Sequence, residues 1–128
     1  MTIKREKKKN FILIVDDNEA LLDALEVLLS EDFDVIPAAD ACQALRVLST
    51  VEPAIIFLDF FMPGVNGIQL FREIRQMGLS SRVVIITAAH PELFEDEISL
   101  LGADGVLSKP FDVGEIEGLA LEACSCVN

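Results

Sequence analysis

The chain has 128 residues, 52% of them apolar, which suffices for one compact core and falls short of two ordinary domains. Its 10 basic and 22 acidic side chains give a net charge of -12; from Asn10 onward five basic residues stand against 21 acidic ones, net -16, and a body that acidic repels phosphate backbones, which excludes a nucleic-acid footprint on the folded part. No apolar run approaches the roughly 18 residues of a membrane span, and the short run Phe11 to Val15 after a basic N-terminus is too brief for a secretory signal.

The expectation is therefore a cytoplasmic protein with no membrane partner. Lys4, Arg5, Lys7, Lys8 and Lys9 supply half of the basic residues, so residues 1–9 are expected to be a solvated, disordered basic tail. Cys42, Cys124 and Cys126, with His90 as the one histidine, fit neither a disulfide scaffold nor a zinc site and read as reduced thiols.

In chain order, the first apolar run is Phe11 to Val15, followed by helical periodicity over Asn18 to Ser30 with Leu21, Leu22, Leu25, Leu28 and Leu29. Phe33 to Ala38 is a weaker strand whose Pro37 places it at a sheet edge, and Asp40 to Ser49 is a second helix opened by an Asp cap. Ala54 to Leu58 and Val83 to Ile86 are apolar throughout and must be buried on both faces, as in a parallel sheet covered by helices. Gly67 to Met77 and Pro91 to Leu101 are helices that stop before Gly78 and Gly102. Gly105 to Ser108 is a short edge strand, and a helix over Val113 to Cys124 closes the order βαβαβαβαβα. Right-handed crossovers then favour a doubly wound five-stranded parallel α/β sheet.

Open parallel sheets bind ligands beyond the carboxyl ends of their strands. There the first strand runs into Asp16 and Asp17, the third into Asp59, the fourth into Thr87 and the fifth into Lys109-Pro110, so three carboxylates, a hydroxyl and an ammonium converge on one rim. Crowded carboxylates repel unless a cation joins them, and a hard divalent ion such as Mg²⁺, carboxylate-bound and accompanied by waters and a phosphoryl oxygen, is the economical partner. Lys109 and Thr87 would neutralise and hydrogen-bond the oxygens of a transferring phosphoryl group. Asp59 would be the nucleophile, forming an acyl phosphate.

These residues resemble the receiver domains of two-component response regulators, and are similar to the single-domain chemotaxis regulators. The motifs are Val15-Asp16-Asp17-Asn18, Leu58-Asp59-Phe60-Phe61-Met62-Pro63-Gly64, Gly67, Ile86-Thr87-Ala88, Gly102-Ala103-Asp104-Gly105 and Lys109-Pro110-Phe111, in order over about Asn10 to Cys124. The resemblance implies a receiver domain over 10–128 with the flavodoxin-like (βα)5 strand order 2-1-3-4-5. It implies that Asp59 takes a phosphoryl group from a phosphohistidine on a sensor kinase or phosphotransfer protein. Asp17, Asp59 and the backbone carbonyl of Phe61 would hold Mg²⁺ directly, and Asp16 through a water. Lys109 would pair with Asp59, Thr87 would hydrogen-bond the attached phosphoryl group, and the Lys109-Pro110 peptide would be cis. Such a chain signals by changing conformation, catalysing only its own phosphorylation and dephosphorylation. Kinase docking is expected on the first helix and the rim loops. Output to a target or a linked effector domain, or homodimerisation, commonly uses the face of the fourth helix, fifth strand and last helix.

Three departures stand out. Val106 occupies the position, three before the lysine, where the family usually has an inward-swinging Tyr or Phe. Phe61 and Ala89, two after Asp59 and two after Thr87, cannot orient an attacking water, which predicts a slowly decaying phosphoform. Asn66 replaces a common Asp and caps the following helix equally well. His90 reads as a loop residue, and Phe60, Met62 and Phe71 as packing. A haloacid-dehalogenase-type phosphatase would need an Asp where Phe61 stands, and an FMN binder's phosphate loop would be repelled by Asp16-Asp17-Asn18-Glu19. The remaining alternative is a receiver-like interaction module that is not phosphorylated.

Overall fold

The computed structural model describes residues 6–7, 11–60, 62, 67–87 and 102–125. In chain order the elements are β1 (Glu6–Lys7), β2 (Phe11–Val15), α1 (Glu19–Leu29), β3 (Asp34–Ala38), α2 (Ala41–Leu48), β4 (Val51–Glu52), β5 (Ile55–Asp59), α3 (Gly67–Gln76), β6 (Arg82–Thr87), β7 (Gly105–Ser108) and α4 (Val113–Ser125). The expected helix over Pro91 to Leu101 lies outside the described residues.

Five strands form one parallel sheet in the order β3-β2-β5-β6-β7, which is the 2-1-3-4-5 order once the two-residue strands are set aside. Alternation along the buried strands feeds two cores. Ile12, Ile14, Ile55, Phe57, Val84, Ile86 and Leu107 meet Leu22, Leu25 and Leu29 of α1 and Ile116, Ala120 and Ala123 of α4. On the other face Leu13, Val15, Ile56, Leu58, Val83 and Ile85 meet Ala44 and Leu48 of α2 and Leu70, Phe71 and Ile74 of α3. Each large side chain removed from water in this way contributes roughly 1.5–3 kcal/mol, so both faces of the central strands hold the frame.

The edges fall where Pro37 and the short Gly105–Ser108 run placed them. Three details differ from the sequence expectation. Phe33, expected to open its strand, is a buried plug whose amide bonds Leu29 O at 3.0 Å, and the strand starts at Asp34. Asp59 and Thr87, expected just beyond their strands, are the last residues of β5 and β6. Glu6–Lys7, inside the segment expected to be disordered, instead pairs in parallel with Val51–Glu52 at the amino-terminal end of the sheet.

Candidate functional site: an acidic rim around Lys109

Three backbone hydrogen bonds continue the sheet one step past its strands and fix the rim. Asp16 N donates to Ala38 O (3.0 Å), Phe60 N to Ile86 O (3.0 Å) and Lys109 N to Thr87 O (2.9 Å). Asp16 is then turned by Asn18, whose amide donates to Asp16 Oδ1 at 2.9 Å while its own Oδ1 caps α1 by accepting from Leu21 N at 3.1 Å. One short polar residue therefore both starts the helix and aims the carboxylate. After β5, Gly67 seats α3 against the chain: a Cβ there would lie 2.7 Å from Phe60 Cδ1 and 2.9 Å from Phe60 Cα. Only glycine permits that approach beside the residue that follows Asp59.

Asp16 is 0% exposed and Asp59 3%, whereas Asp17 is exposed. Each of the three offers a carboxylate oxygen within 4.8 Å of the others. The Lys109 ammonium stands 2.9 Å from Asp16 Oδ2 and 3.3 Å from Asp59 Oδ2. Burial by itself would lower the Lys109 pKa, but the charges of Asp16 and Asp59 beside it together outweigh it and hold it above its ordinary 10.5. Thr87 is buried at the end of β6, in register with Ser108. The Lys109-Pro110 peptide is cis.

Among the described residues charge at the rim does not balance, since three carboxylates face one ammonium. Asp16 Oδ2, although in ion-pair contact with Lys109, is approached off the angle of a hydrogen bond and is buried without a hydrogen-bond donor. A cluster of hard oxygens with surplus negative charge and an unmet buried acceptor fits a divalent cation such as Mg²⁺.

The structure thus brings the carboxylates of Asp16, Asp17 and Asp59 to the Lys109 ammonium and puts Thr87 at the end of the neighbouring strand, where its carbonyl accepts from Lys109 N; all five were named from the sequence. Phe61, Ala88, Ala89, His90 and Asn66 lie outside the described residues. Phe60, Met62 and Phe71 pack in the core on the α2–α3 face. Val106 is 39% exposed on the edge strand, paired in register with Ile85. The contacts by which Asn18 and Gly67 shape the rim were not read from the sequence; Asn18 appeared there as the start of the first helix and as a motif residue, and its distance of two residues from Asp16 was the available signal.

The family model described as the response regulator receiver domain matches residues 12–120. The chain belongs to this family. It is a receiver domain of two-component signalling, a family of phosphoacceptors rather than classical enzymes. The chain is 36% identical over 107 residues to the alkaline phosphatase synthesis transcriptional regulatory protein PhoP of Bacillus subtilis (strain 168), covering 82% of this chain and 44% of PhoP, so it spans less than half of that relative. It is 35% identical over 106 residues to sporulation initiation phosphotransferase F of the same organism, covering 82% of this chain and 86% of that protein. Among solved structures, the Francisella response regulator 1452 receiver domain shares the fold at TM-score 0.84 and 24% identity over 93% of this chain and 99% of that one. NtrX from Brucella abortus matches at TM-score 0.80 and 28% identity over 90% of this chain and 27% of NtrX. Among the described residues no helix is long and apolar enough to cross a membrane.

Proposed function

We propose that Asp59 is the phosphoacceptor of this receiver and that a phosphohistidine on a sensor kinase or phosphotransfer protein is its donor. The observation that carries the reading is the pairing of a buried Asp59 with Lys109 at 3.3 Å beside Asp16 and Asp17, at the carboxyl end of a central strand. An Asp59 carboxylate oxygen attacks phosphorus, the O–P bond forms as the P–N bond to the donor imidazole breaks, and the electron pair leaves on that imidazole. Lys109 neutralises charge on the phosphoryl oxygens, and the Thr87 hydroxyl donates to one of them once they are attached. Asp17, Asp59 and the Phe61 carbonyl would hold Mg²⁺ directly, with Asp16 acting through a water; bound there, the ion supplies further charge neutralisation.

The donor reaches the rim beside α1. A cleft of about 410 Å³ lined by Asn18, Leu21, Lys109, Pro110 and Phe111 offers an apolar seat next to the ammonium. A side chain of a docked donor would fill it and exclude water from the transfer. The completeness of the set Asp16, Asp17, Asp59, Thr87 and Lys109 speaks against the unphosphorylated interaction module. Borohydride reduction after treatment with a small acyl phosphate tests the assignment, because an acyl phosphate on Asp59 is reduced to homoserine. Peptide mapping is expected to find homoserine at position 59; reduction at any other carboxylate would refute the assignment.

A further inference from the structure

β7 is the thinnest part of the frame that delivers Lys109. It has four residues, lies at the sheet edge and buries only Leu107. Its end at the rim is held by the bond from Lys109 N to Thr87 O. Its other end is held by Asp104, whose amide donates to Val83 O at 2.8 Å and whose Oδ2 accepts from Val83 N at 2.8 Å.

Arg75 gathers this second end from 29 residues away. From the last turn of α3 its Nη2 donates to Asp104 Oδ2 (3.0 Å) and to Gly102 O (3.0 Å), and its Nη1 donates to Ser81 O (3.2 Å). The guanidinium lies 5.1 Å from the centroid of the Phe71 ring, which is itself buried. Gly102 has a φ of +79°, a backbone conformation suited to glycine, and it presents its carbonyl to Arg75 from there. Both terminal nitrogens of the planar fork are thus engaged, by acceptors before β6 and before β7, while the guanidinium lies close to the Phe71 ring of its own helix.

We infer that Arg75 is a positioning residue for Lys109. By fixing Gly102 and Asp104 against α3 it sets the register of β7, and the register decides where the ammonium stands. A slip of one residue moves an extended chain by about 3.3 Å and turns every side chain to the other face, which would take Lys109 off Asp59. The same helix starts at Gly67 against Phe60, so α3 references both the strand end that carries Asp59 and the strand that carries Lys109. The inference rests on the reading of Asp59 as phosphoacceptor.

Four proteins decide it: the parent, Arg75→Ala, Lys109→Met and the double variant. For each, the rate of phosphoryl-adduct formation with Mg²⁺ and a small acyl phosphate is measured by intact mass, and amide exchange is followed over residues 105–109. Arg75→Ala is expected to slow adduct formation about fivefold in the parent background and less than about twofold when Lys109 is already Met, because contacting or relayed sites are non-additive. It is also expected to speed exchange in β7. Equal slowing in both backgrounds, or unchanged exchange, overturns the inference. Asp104→Asn, which leaves the Arg75 bonds to Ser81 O and Gly102 O, is expected to show the same coupling at smaller size and serves if Arg75→Ala does not fold. A parent that gains no adduct would refute the reading of Asp59 instead, and the exchange result would then decide the role of Arg75 by itself.

Discussion

Two cation–carboxylate clusters sit at opposite ends of the sheet. At the rim Lys109 faces Asp16 and Asp59, both almost wholly buried. At the base Arg75 faces Asp104, with side chains 32% and 40% exposed. The base cluster is closed: one Asp104 oxygen serves Arg75 and Val83 N, and two further guanidinium bonds go to the carbonyls of Ser81 and Gly102. The rim cluster is open, with surplus negative charge and a buried oxygen lacking a hydrogen bond. Closed clusters stabilise a frame, whereas open ones are held in place by a frame for something that arrives later.

The largest expected effect breaks the rim. Lys109→Met removes the ammonium that neutralises the transferring group, and adduct formation from a small acyl phosphate is expected to fall about 100-fold or more. A fall of less than threefold would remove Lys109 from the chemistry. Next comes turnover: Phe61→Asn combined with Ala89→Glu gives an attacking water hydrogen-bonding partners, and loss of the phosphoform is expected to quicken about tenfold. Equal decay in parent and variant would show that these two positions do not control hydrolysis.

The same chemical change is expected to have opposite signs at the two ends. Asp16→Asn relieves crowding among buried carboxylates and is expected to raise metal-free stability by about 1 kcal/mol. Asp104→Asn weakens a satisfied pair and is expected to lower it by about 1 kcal/mol, a figure kept small because the pair is partly exposed. Denaturant midpoints without Mg²⁺ measure both, and two changes of the same sign would erase the contrast. Saturating Mg²⁺, at about 100 times its dissociation constant, is expected to add about 2.7 kcal/mol to the parent.

The smallest effect is in pH. With its folded pKa held above 10.5, Lys109 contributes stability that is fully present below 10.5 and is lost as pH rises through the folded value. The stability difference between parent and Lys109→Met is therefore expected to be flat through neutral pH and to shrink only above about pH 10.5. A difference that changes between pH 6 and 8 would point to another group.

The frame and most of the rim were legible in the sequence for one physical reason. Strands buried on both faces must be apolar throughout, so Phe11–Val15, Ala54–Leu58 and Val83–Ile86 stand out, and the polar residues at their ends, Asp16, Asp59 and Thr87, are marked by contrast. Lys109 is marked too, as the one lysine or arginine after Arg82 in the sequence. What could not be read depends on contacts between distant residues or on very short elements. Arg75 and Asp104 carry no local pattern that pairs them, Phe33 looks like a strand residue until α1 closes over it, and β1 and β4 have two residues each, too few to show a period. Gly67 was seen as a motif residue, but its reason, the nearness of Phe60, is visible only in three dimensions.

The most direct measurement is the intact mass of the chain after incubation with a small acyl phosphate, with and without Mg²⁺, for the parent and for Asp59→Asn. The account predicts one added phosphoryl group in the parent, only with Mg²⁺, and none in Asp59→Asn. An adduct that persists in Asp59→Asn, or that forms equally well without the metal, would contradict it.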